Sequence, residues 1–168
     1  MFHLTSWDIL ESKIILVGAG GFDRVVLEHA SKNYACAFVD DGKAPGNLIC
    51  DTHVVGKIND LEKLYPKYQQ LVVGIGNNKL CEEIYRKAKA LGYSFPNIIC
   101  SSVYISPHAP IGCGCVILNN VVVQNGGHFG DGVLVNHGVE VYFVNQNPSK
   151  GANKFPVFSK RNSPFPDV

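Results

Sequence analysis

The chain has 168 residues, of which 46% are hydrophobic and 17% are charged, and its formal net charge is +1. This composition is typical of a globular protein and excludes a largely disordered one, and the length suits one ordinary domain or two small ones. The near-neutral charge gives no indication of a nucleic-acid partner or of an anionic membrane surface.

The cysteines and the amino terminus indicate a cytoplasmic protein with free thiols. The six cysteines lie mostly far apart and form no CxxC pair. Cys113 and Cys115 have no matching Cys or His pair at zinc spacing, so no metal site is predicted. No apolar stretch approaches the ~20 residues of a membrane span. The opening MFHLTSWDILESK lacks the charged and apolar regions of a signal peptide.

The first hundred residues show a strand, a turn and a helix twice in succession. KIILV predicts a buried strand over 14–17, a glycine turn follows it, and an amphipathic helix comes next. ACAFVDD predicts a second strand, and QQLVVGI predicts a third over 71–75 before another helix. The residues expected to face inward are Val25, Val26, Leu27 and Ala30 on the first helix and Leu80, Ile84, Ala88 and Leu91 on the second. This order predicts a parallel α/β sheet with right-handed crossovers.

Two glycine-containing turns lie where a predicted strand meets the start of a predicted helix. They are Gly18-Ala19-Gly20-Gly21 and Gly76-Asn77-Asn78. Unpaired N–H groups and the positive end of the helix dipole make such places suitable for a phosphate. The alternative is structural, because glycines also make tight turns and asparagine often caps a helix.

A nicotinamide dinucleotide is the competing ligand for the first turn. Asp40 follows Gly18 by 22 positions, about where a ribose-binding acid lies in dinucleotide-binding domains. However, the third glycine of GxGxxG falls on Asp23, whose carboxylate is expected to meet the pyrophosphate and to spoil the packing of helix on strand. A nucleotide cofactor of this kind is therefore disfavoured.

From residue 105 onward the sequence repeats every six residues. From Gly114 onward the fourth position of the hexads carries glycine or asparagine, which tolerate the left-handed backbone of a tight corner, and the fifth position carries small, mostly apolar residues. Neither a strand nor an α-helix has this period, so the pattern predicts a parallel β-helix with three short sides per turn. Its interior is expected to hold the first-position residues Ile105, Ile111, Ile117, Val123, Phe129, Val135 and Val141.

The combination of the two halves resembles the NeuD/PglD family of bacterial sugar acetyltransferases. The matching pieces are KIILVGAGG, FVDD, VVGIGNN, SSVYISPHAPIG and the hexads up to VLVNHGVEV. The resemblance implies a Rossmann-like nucleotide-sugar-binding domain over 1–100, a left-handed β-helix over 101–146 that is incomplete, and a non-repeat tail over 147–168. It also implies a homotrimer that uses acetyl-CoA as co-substrate and no metal.

The same resemblance implies a substrate and the residues that contact it. The substrate class is a nucleotide-linked amino sugar or a sialic-acid-like sugar destined for surface glycans. The residues on the family's substrate-binding positions are Gly18, Gly20, Gly21, Asp40, Asp41, Gly76, Asn77 and Asn78. Phe22 and Asp23 replace the histidine and the small residue that are usual in the family.

The catalytic base of the family falls on a residue that cannot take up a proton. The family pattern aligns on Asn136 and Gly138, and its acid and histidine then fall on Tyr142 and Phe143. His137, one hexad earlier, is the weak substitute, with Asn136 beside it. The sequence therefore predicts impaired or absent transfer in this chain, and a non-catalytic nucleotide-sugar-binding module is the alternative function.

The hexad pattern ends after Val141, and the following residues contain four prolines without periodicity. Such an abrupt loss of register predicts a shifted reading frame, with two turns of β-helix and unpaired strand edges at the end. The alternative is a divergent tail that folds back as a cap.

Overall fold

The computed structural model describes residues 12–141 and the backbone of the strand Val157–Phe158. The chain divides into two compact units between Pro96 and Asn97, a few residues before the boundary expected at 100/101. We call residues 12–96 the α/β unit and the described residues from 97 onward the hexad unit. The reason for the earlier boundary is that Ile98 and Ile99 already pair with Val116 and Ile117 of the hexads.

The α/β unit alternates strands and helices as the sequence predicts. Its strands are β1 (Lys13–Val17), β2 (Ala35–Val39), β3 (Leu48–Ile49), β4 (Thr52–Gly56) and β5 (Gln70–Val73). Its helices are α1 (Gly21–Ala30), α2 (Leu61–Leu64), which follows a 3-10 turn at Ile58–Asp60, and α3 (Asn78–Ala90). The strand predicted over 71–75 thus begins one residue earlier and ends at Val73.

The sheet of the α/β unit has the order β3-β4-β2-β1-β5. β1 pairs in parallel with β2 and β5, β2 pairs in parallel with β4, and the short β3 is antiparallel to β4. The chain therefore moves outward from β1 in one direction and returns to its other side with β5. A parallel sheet that changes direction in this way opens a crevice at the carboxyl ends of its two central strands.

The core of this unit is buried on both faces of β1, as a continuous apolar strand requires. Ile14, Ile15, Leu16 and Val17 are at most 2% exposed. On α1 the inner face is formed by Val26, Leu27 and Ala30, and Val25 is only half-buried.

The inner face of α3 differs from the predicted stripe. Ile84 and Ala88 are buried as expected, but Leu80 is 37% exposed and Cys81 is buried in its place. The interior side of the helix is therefore rotated by one residue at its start. The prediction for Leu80 is wrong because an i, i+4 pattern in the sequence does not fix which of two adjacent apolar residues faces the sheet.

The hexad unit is built of two-residue parallel strands that return every 18 residues. The strands are β6 (Ile98–Ile99), β7 (Tyr104–Ile105), β8 (Val116–Ile117), β9 (Val122–Val123), β10 (Leu134–Val135) and β11 (Glu140–Val141). β6, β8 and β10 form one ladder, β7, β9 and β11 form a second, and an Ile111–Phe129 bridge marks a third. Three hexads thus make one turn of the chain.

The hexad corners have the backbone that the repeat predicts. Gly114, Asn120, Gly126, Gly132 and Gly138 have φ values of 70°, 61°, 86°, 68° and 68°. Ile117, Val123 and Val135 are fully buried, and the fifth-position residues Cys115, Val121 and Val133 are buried with them. The prediction that first-position side chains fill the interior is therefore confirmed for these hexads, and the fifth-position side chains are found in the same interior.

The strand β12 (Val157–Phe158) pairs in parallel with β10, at Leu134 and Val135. It follows Leu134 by 23 residues instead of 18 (157 − 134 = 23), so the tail returns to the ladder five residues late. The prediction that this end stays unpaired is wrong at β10. A two-residue ladder is formed by backbone groups alone, and it therefore needs no hexad pattern in the side chains.

Candidate functional site

A cleft of about 470 Å³ opens at the carboxyl ends of β1, β2 and β5. It lies where the strand order changes direction, the place where open α/β sheets bind their ligands. Both predicted glycine turns contribute to it. Its lining consists of residues 18–23, 39–42 and 74–76 together with Ile58 and Leu80.

The first turn leads from β1 into α1 through a backbone that requires glycine. Gly18 has a φ of 107°, in the region that side chains rarely adopt, and Gly20 is the residue that caps α1. The N–H of Arg24 donates to the carbonyl of Gly20 (3.3 Å), and the N–H groups of Gly21 and Phe22 precede it in the first turn. Such N–H groups at a helix start favour an anion.

Asp40 and Asp41 follow β2 and connect the loops around the cleft. Asp40 accepts from the N–H of Ala19 through one carboxylate oxygen (2.9 Å) and from the N–H of Gly42 through the other (2.8 Å). Asp41 accepts from the N–H of Ile58 (2.9 Å). Both carboxylates line the cleft, so they hold its walls in place and keep lone pairs that a ligand hydroxyl can use.

Asp23 lies beneath the first turn and not in conflict with it. Its carboxylate accepts from the N–H of Gly20 (2.8 Å), and the residue is only 6% exposed. A Cβ atom at Gly18 would lie 2.7 Å from this carboxylate, and one at Gly74 would lie 1.9 Å from it. The expectation that Asp23 spoils the packing of helix on strand is therefore wrong, because the two glycines leave the space that the carboxylate fills.

The environment of Asp23 makes its protonated form easier to populate than that of an exposed aspartate. Burial raises the pKa of this carboxyl from 3.8 to about 6, and the neighbouring Asp40 adds to the effect, while the N–H groups of Gly20 and of Asp23 itself oppose it. Burial raises the pKa of the Cys81 thiol to about 11, and the charge of the nearby Asp23 adds to this increase. Cys81 therefore stays a thiol and donates to the carbonyl of Ile75 (2.7 Å).

The second glycine turn contributes less than the sequence indicates. Gly76 lines the cleft, but Asn77 and Asn78 are not among the lining residues. Asn77 caps α3, since its side chain accepts from the N–H of Leu80 (3.1 Å), and Asn78 is the first residue of the helix. Asn77 therefore has the helix-capping role that was the alternative to phosphate binding. A substrate contact for Asn77 and Asn78 remains a prediction.

The candidate base lies in the hexad unit. His137 is exposed, and its backbone N–H donates to the side-chain oxygen of Asn136 (2.8 Å). The Asn136 side chain thus shapes the corner before Gly138. Phe143 and Tyr142, on which the family's histidine and acid fall, lie outside the described residues.

Sequence reasoning missed Gly74, Gly42 and Ile58 as parts of the cleft. Gly74 carries a signal, because a glycine at the end of a strand marks a close approach of other atoms. Gly42 follows two aspartates, which is a turn signal. Ile58 carries none, since only the observed pairing of β4 with β2 brings the residue after β4 to the cleft.

Residues 13–88 match the family model described as the PglD N-terminal domain. This stretch contains β1 through most of α3, and thus every residue that lines the cleft. This stretch of the chain is therefore a domain of the PglD N-terminal type, and the chain is similar to PglD-like sugar acetyltransferases. No curated protein sequence matches it.

Solved structures of sugar acetyltransferases resemble this PglD-like chain. The acetyltransferase domain of PglB from Neisseria gonorrhoeae, in complex with acetyl coenzyme A, is 35% identical with a TM-score of 0.71, over 78% of this chain and 64% of that one. PerB from Caulobacter crescentus, in complex with CoA and GDP-perosamine, is 30% identical with a TM-score of 0.70, over 77% and 62%. The PglD-like chain thus spans less than two thirds of the length of these structures.

The described part of the PglD-like chain contains neither a candidate membrane span nor a candidate metal site. No helix in it is long and apolar enough to cross a membrane. No group of three or more His, Cys, Asp or Glu side chains within it is placed to hold a metal ion.

Proposed function

We propose that this chain acts as an acetyltransferase of a nucleotide-linked sugar, with the nucleotide sugar held in the cleft of the α/β unit. The observation that carries the proposal is the cleft itself. It combines a glycine turn and a helix start at the place where the strand order of a PglD-like domain changes direction. The 18-residue return of the hexad strands supports a left-handed β-helix as the second half, and the homotrimer remains a prediction of the resemblance.

The cleft offers groups that can contact the diphosphate and the hydroxyl groups of a nucleotide sugar. The diphosphate is placed at the N–H groups of Gly21 and Phe22, where the helix dipole adds a favourable field. Hydroxyl groups are placed at the carboxylates of Asp40 and Asp41, whose oxygens accept. GDP-perosamine, an example of this class, is bound by PerB.

Transfer requires a donor, a base and an oxyanion partner. Acetyl-CoA, which is bound in the PglB structure, is the proposed donor. The sugar nitrogen or oxygen attacks the thioester carbon, the C–S bond breaks, and the acceptor's proton passes through a base to the leaving sulfur. His137 is the proposed base. In the same step, an N–H group or another hydrogen-bond donor stabilises the negative charge that develops on the thioester oxygen.

The second candidate function is nucleotide-sugar binding without transfer. It is favoured by Phe143, because a phenyl ring at the family's base position accepts no proton. Under this alternative the cleft is retained and His137 is an ordinary surface side chain. Sequencing the coding DNA beyond codon 143 tests the reading-frame interpretation, since a shifted frame that restores an acid and a histidine identifies the parent as a transferase.

We expect a nucleotide sugar to raise the melting temperature of the wild-type chain, and NADH to leave it unchanged. The melting temperature is measured with GDP-mannose, UDP-N-acetylglucosamine, acetyl-CoA and NADH, each added alone. CoA release in the presence of acetyl-CoA and an amino-sugar nucleotide then measures transfer. His137→Asn is expected to lower this rate by at least about 100-fold, the scale of a lost general base.

His128→Asn serves as the matched control, because His128 is an exposed histidine of the same hexad unit. Stabilisation by a nucleotide sugar with no release of CoA supports the binding module. Stabilisation by NADH alone contradicts both functions. Equal rates for wild type and His137→Asn show that His137 is not the base.

A further inference from the structure

The cleft that we assign to a diphosphate is lined by acidic side chains and by no basic side chain among the described residues. Among the described residues that line it are three carboxylates, those of Asp23, Asp40 and Asp41, and no Lys, Arg or His. Lys57 directly precedes the lining residue Ile58, but its ammonium group donates to the backbone carbonyls of Asp41 and Lys43, and Lys57 does not line the cleft. A diphosphate that enters therefore meets like charge from these residues and no compensating cation among them.

Asp23 is the acid that stands at the anion position. Its carboxylate already takes the N–H of Gly20, one of the groups of the helix start that a phosphate would use. Gly18 and Gly74 enclose the same carboxylate so closely that a Cβ at either would overlap it. The side chain thus has little freedom to move away when a ligand arrives.

The two other acids are bound differently and leave the helix start open. Asp40 spans Ala19 and Gly42 at the end of β2, and Asp41 is exposed and accepts from Ile58. The groups that face Asp23 are Asp40 from the β2 loop, the Cys81 thiol from α3 and the N–H groups of its own helix. None of these supplies a positive charge that would neutralise Asp23 as a phosphate approaches.

We propose that Asp23 is an ionisable gate of the cleft, so that a nucleotide sugar binds with uptake of one proton by this carboxylate. This inference rests on the proposed function. In the protonated form Asp23 presents no charge to the diphosphate, which then binds at the start of α1 without electrostatic repulsion from this carboxyl. In the ionised form the carboxylate is an internal competitor of the phosphate.

The affinity of the wild-type chain is therefore expected to fall with rising pH. For a group with a pKa of about 6, the protonated fraction falls about 25-fold between pH ~5.5 and pH ~7.5. Binding of GDP-mannose and UDP-N-acetylglucosamine is measured by titration calorimetry at both pH values. These diphosphate diesters carry no group that titrates in this range, so the change belongs to the protein. Two buffers of different ionisation enthalpy give the number of protons taken up.

Asp23→Asn tests the gate, because asparagine keeps the shape and can still accept from Gly20. We expect this variant to bind equally well at both pH values, with no proton uptake and about the affinity of the wild type at the lower pH. Glu28→Gln removes an exposed carboxylate of the same helix and is expected to keep the 25-fold slope. Asp41→Asn, in the cleft, is expected to keep it as well.

Each other outcome overturns a stated part of the account. An unchanged slope in Asp23→Asn, or a wild type without slope, overturns the gate and leaves the proposed function intact. Binding at the higher pH that needs Mg²⁺ and takes up no proton overturns it in favour of a metal bridge. If neither wild type nor Asp23→Asn binds either probe at either pH, the proposed function fails, and the gate fails with it.

Discussion

Replacing Gly74 by alanine is expected to lower the free energy of unfolding by about 3 kcal/mol, near the upper end of the cost of overpacking a core. The new Cβ would lie 1.9 Å from the nearer carboxylate oxygen of Asp23, and 3.7 Å from the carbonyl oxygen of Val17. The carboxylate is held at Gly20 and enclosed by Gly18, so relief requires a shift of α1 or of β5. Denaturation monitored by circular dichroism gives the loss.

A double-mutant cycle identifies the cause of this loss. Removing the obstructing side chain by Asp23→Ala in the Gly74→Ala background is expected to recover about 2 kcal/mol, which appears as coupling between the two sites. Gly76→Ala is the matched control, since a Cβ there meets nothing within 4 Å. A Gly74→Ala chain as stable as the wild type, or additive effects of the two changes, would contradict the described fit of Asp23 between the glycines.

Asp23→Asn is expected to stabilise the chain at neutral pH by about 3 kcal/mol, the value of a shift from 3.8 to about 6. The native carboxyl holds its proton to a higher pH than the unfolded one does. The stability of the wild type therefore falls as the pH rises from about 4 to about 6, and the full loss persists above that range. Asparagine keeps an acceptor for the Gly20 N–H and carries no charge to bury.

The measurement is the free energy of unfolding of both chains from pH ~4 to pH ~8, since the difference between them isolates Asp23. Asp60→Asn is a control of opposite sign, because the N–H of Lys57 holds the pKa of Asp60 below its usual value. Loss of Asp60 therefore removes stability that is present at neutral pH and disappears on acidification. A difference between wild type and Asp23→Asn that does not grow as the pH rises from about 4 to about 6 would contradict the burial of this carboxyl.

The hexad unit could be predicted from the sequence in detail because its physics is local. A corner every six residues needs a left-handed backbone, and glycine or asparagine at that position makes this requirement visible in the sequence. Among the five corners from 114 to 138, Asn120 is the one that is not glycine, and it has a φ of 61° like its neighbours. The burial of Ile117 and Val121 inside the unit follows from the same six-residue period, because they hold the first and fifth positions of one hexad.

The cleft could be predicted only in outline because it is made of distant segments. The glycine turns and Asp40 are visible as strand ends followed by helix starts. The place of Ile58 depends on β4 lying beside β2, and no local pattern encodes this neighbour. The fit of Asp23 depends on Gly74, 51 residues later, so Asp23 looks unfavourable when its own helix is considered alone (74 − 23 = 51).

The tail shows a different limit of pattern reading. The sequence after Val141 has no hexads, yet Val157 and Phe158 pair with the strand Leu134–Val135. Strand pairing at this length draws on backbone groups, which every residue but proline supplies in full. Side-chain periodicity therefore predicts an interior well and predicts the last paired strand poorly.

The most direct test of a nucleotide sugar in the cleft is hydrogen–deuterium exchange of the full chain at pH ~5.5, with and without GDP-mannose or UDP-N-acetylglucosamine, below the pKa of about 6 of Asp23. We predict that the ligand slows exchange in peptides that contain residues 18–24, 39–42 and 74–80, and leaves the corners of the hexad unit unchanged. Protection confined to the hexad unit, or no protection with either nucleotide sugar, would contradict the assignment of the cleft.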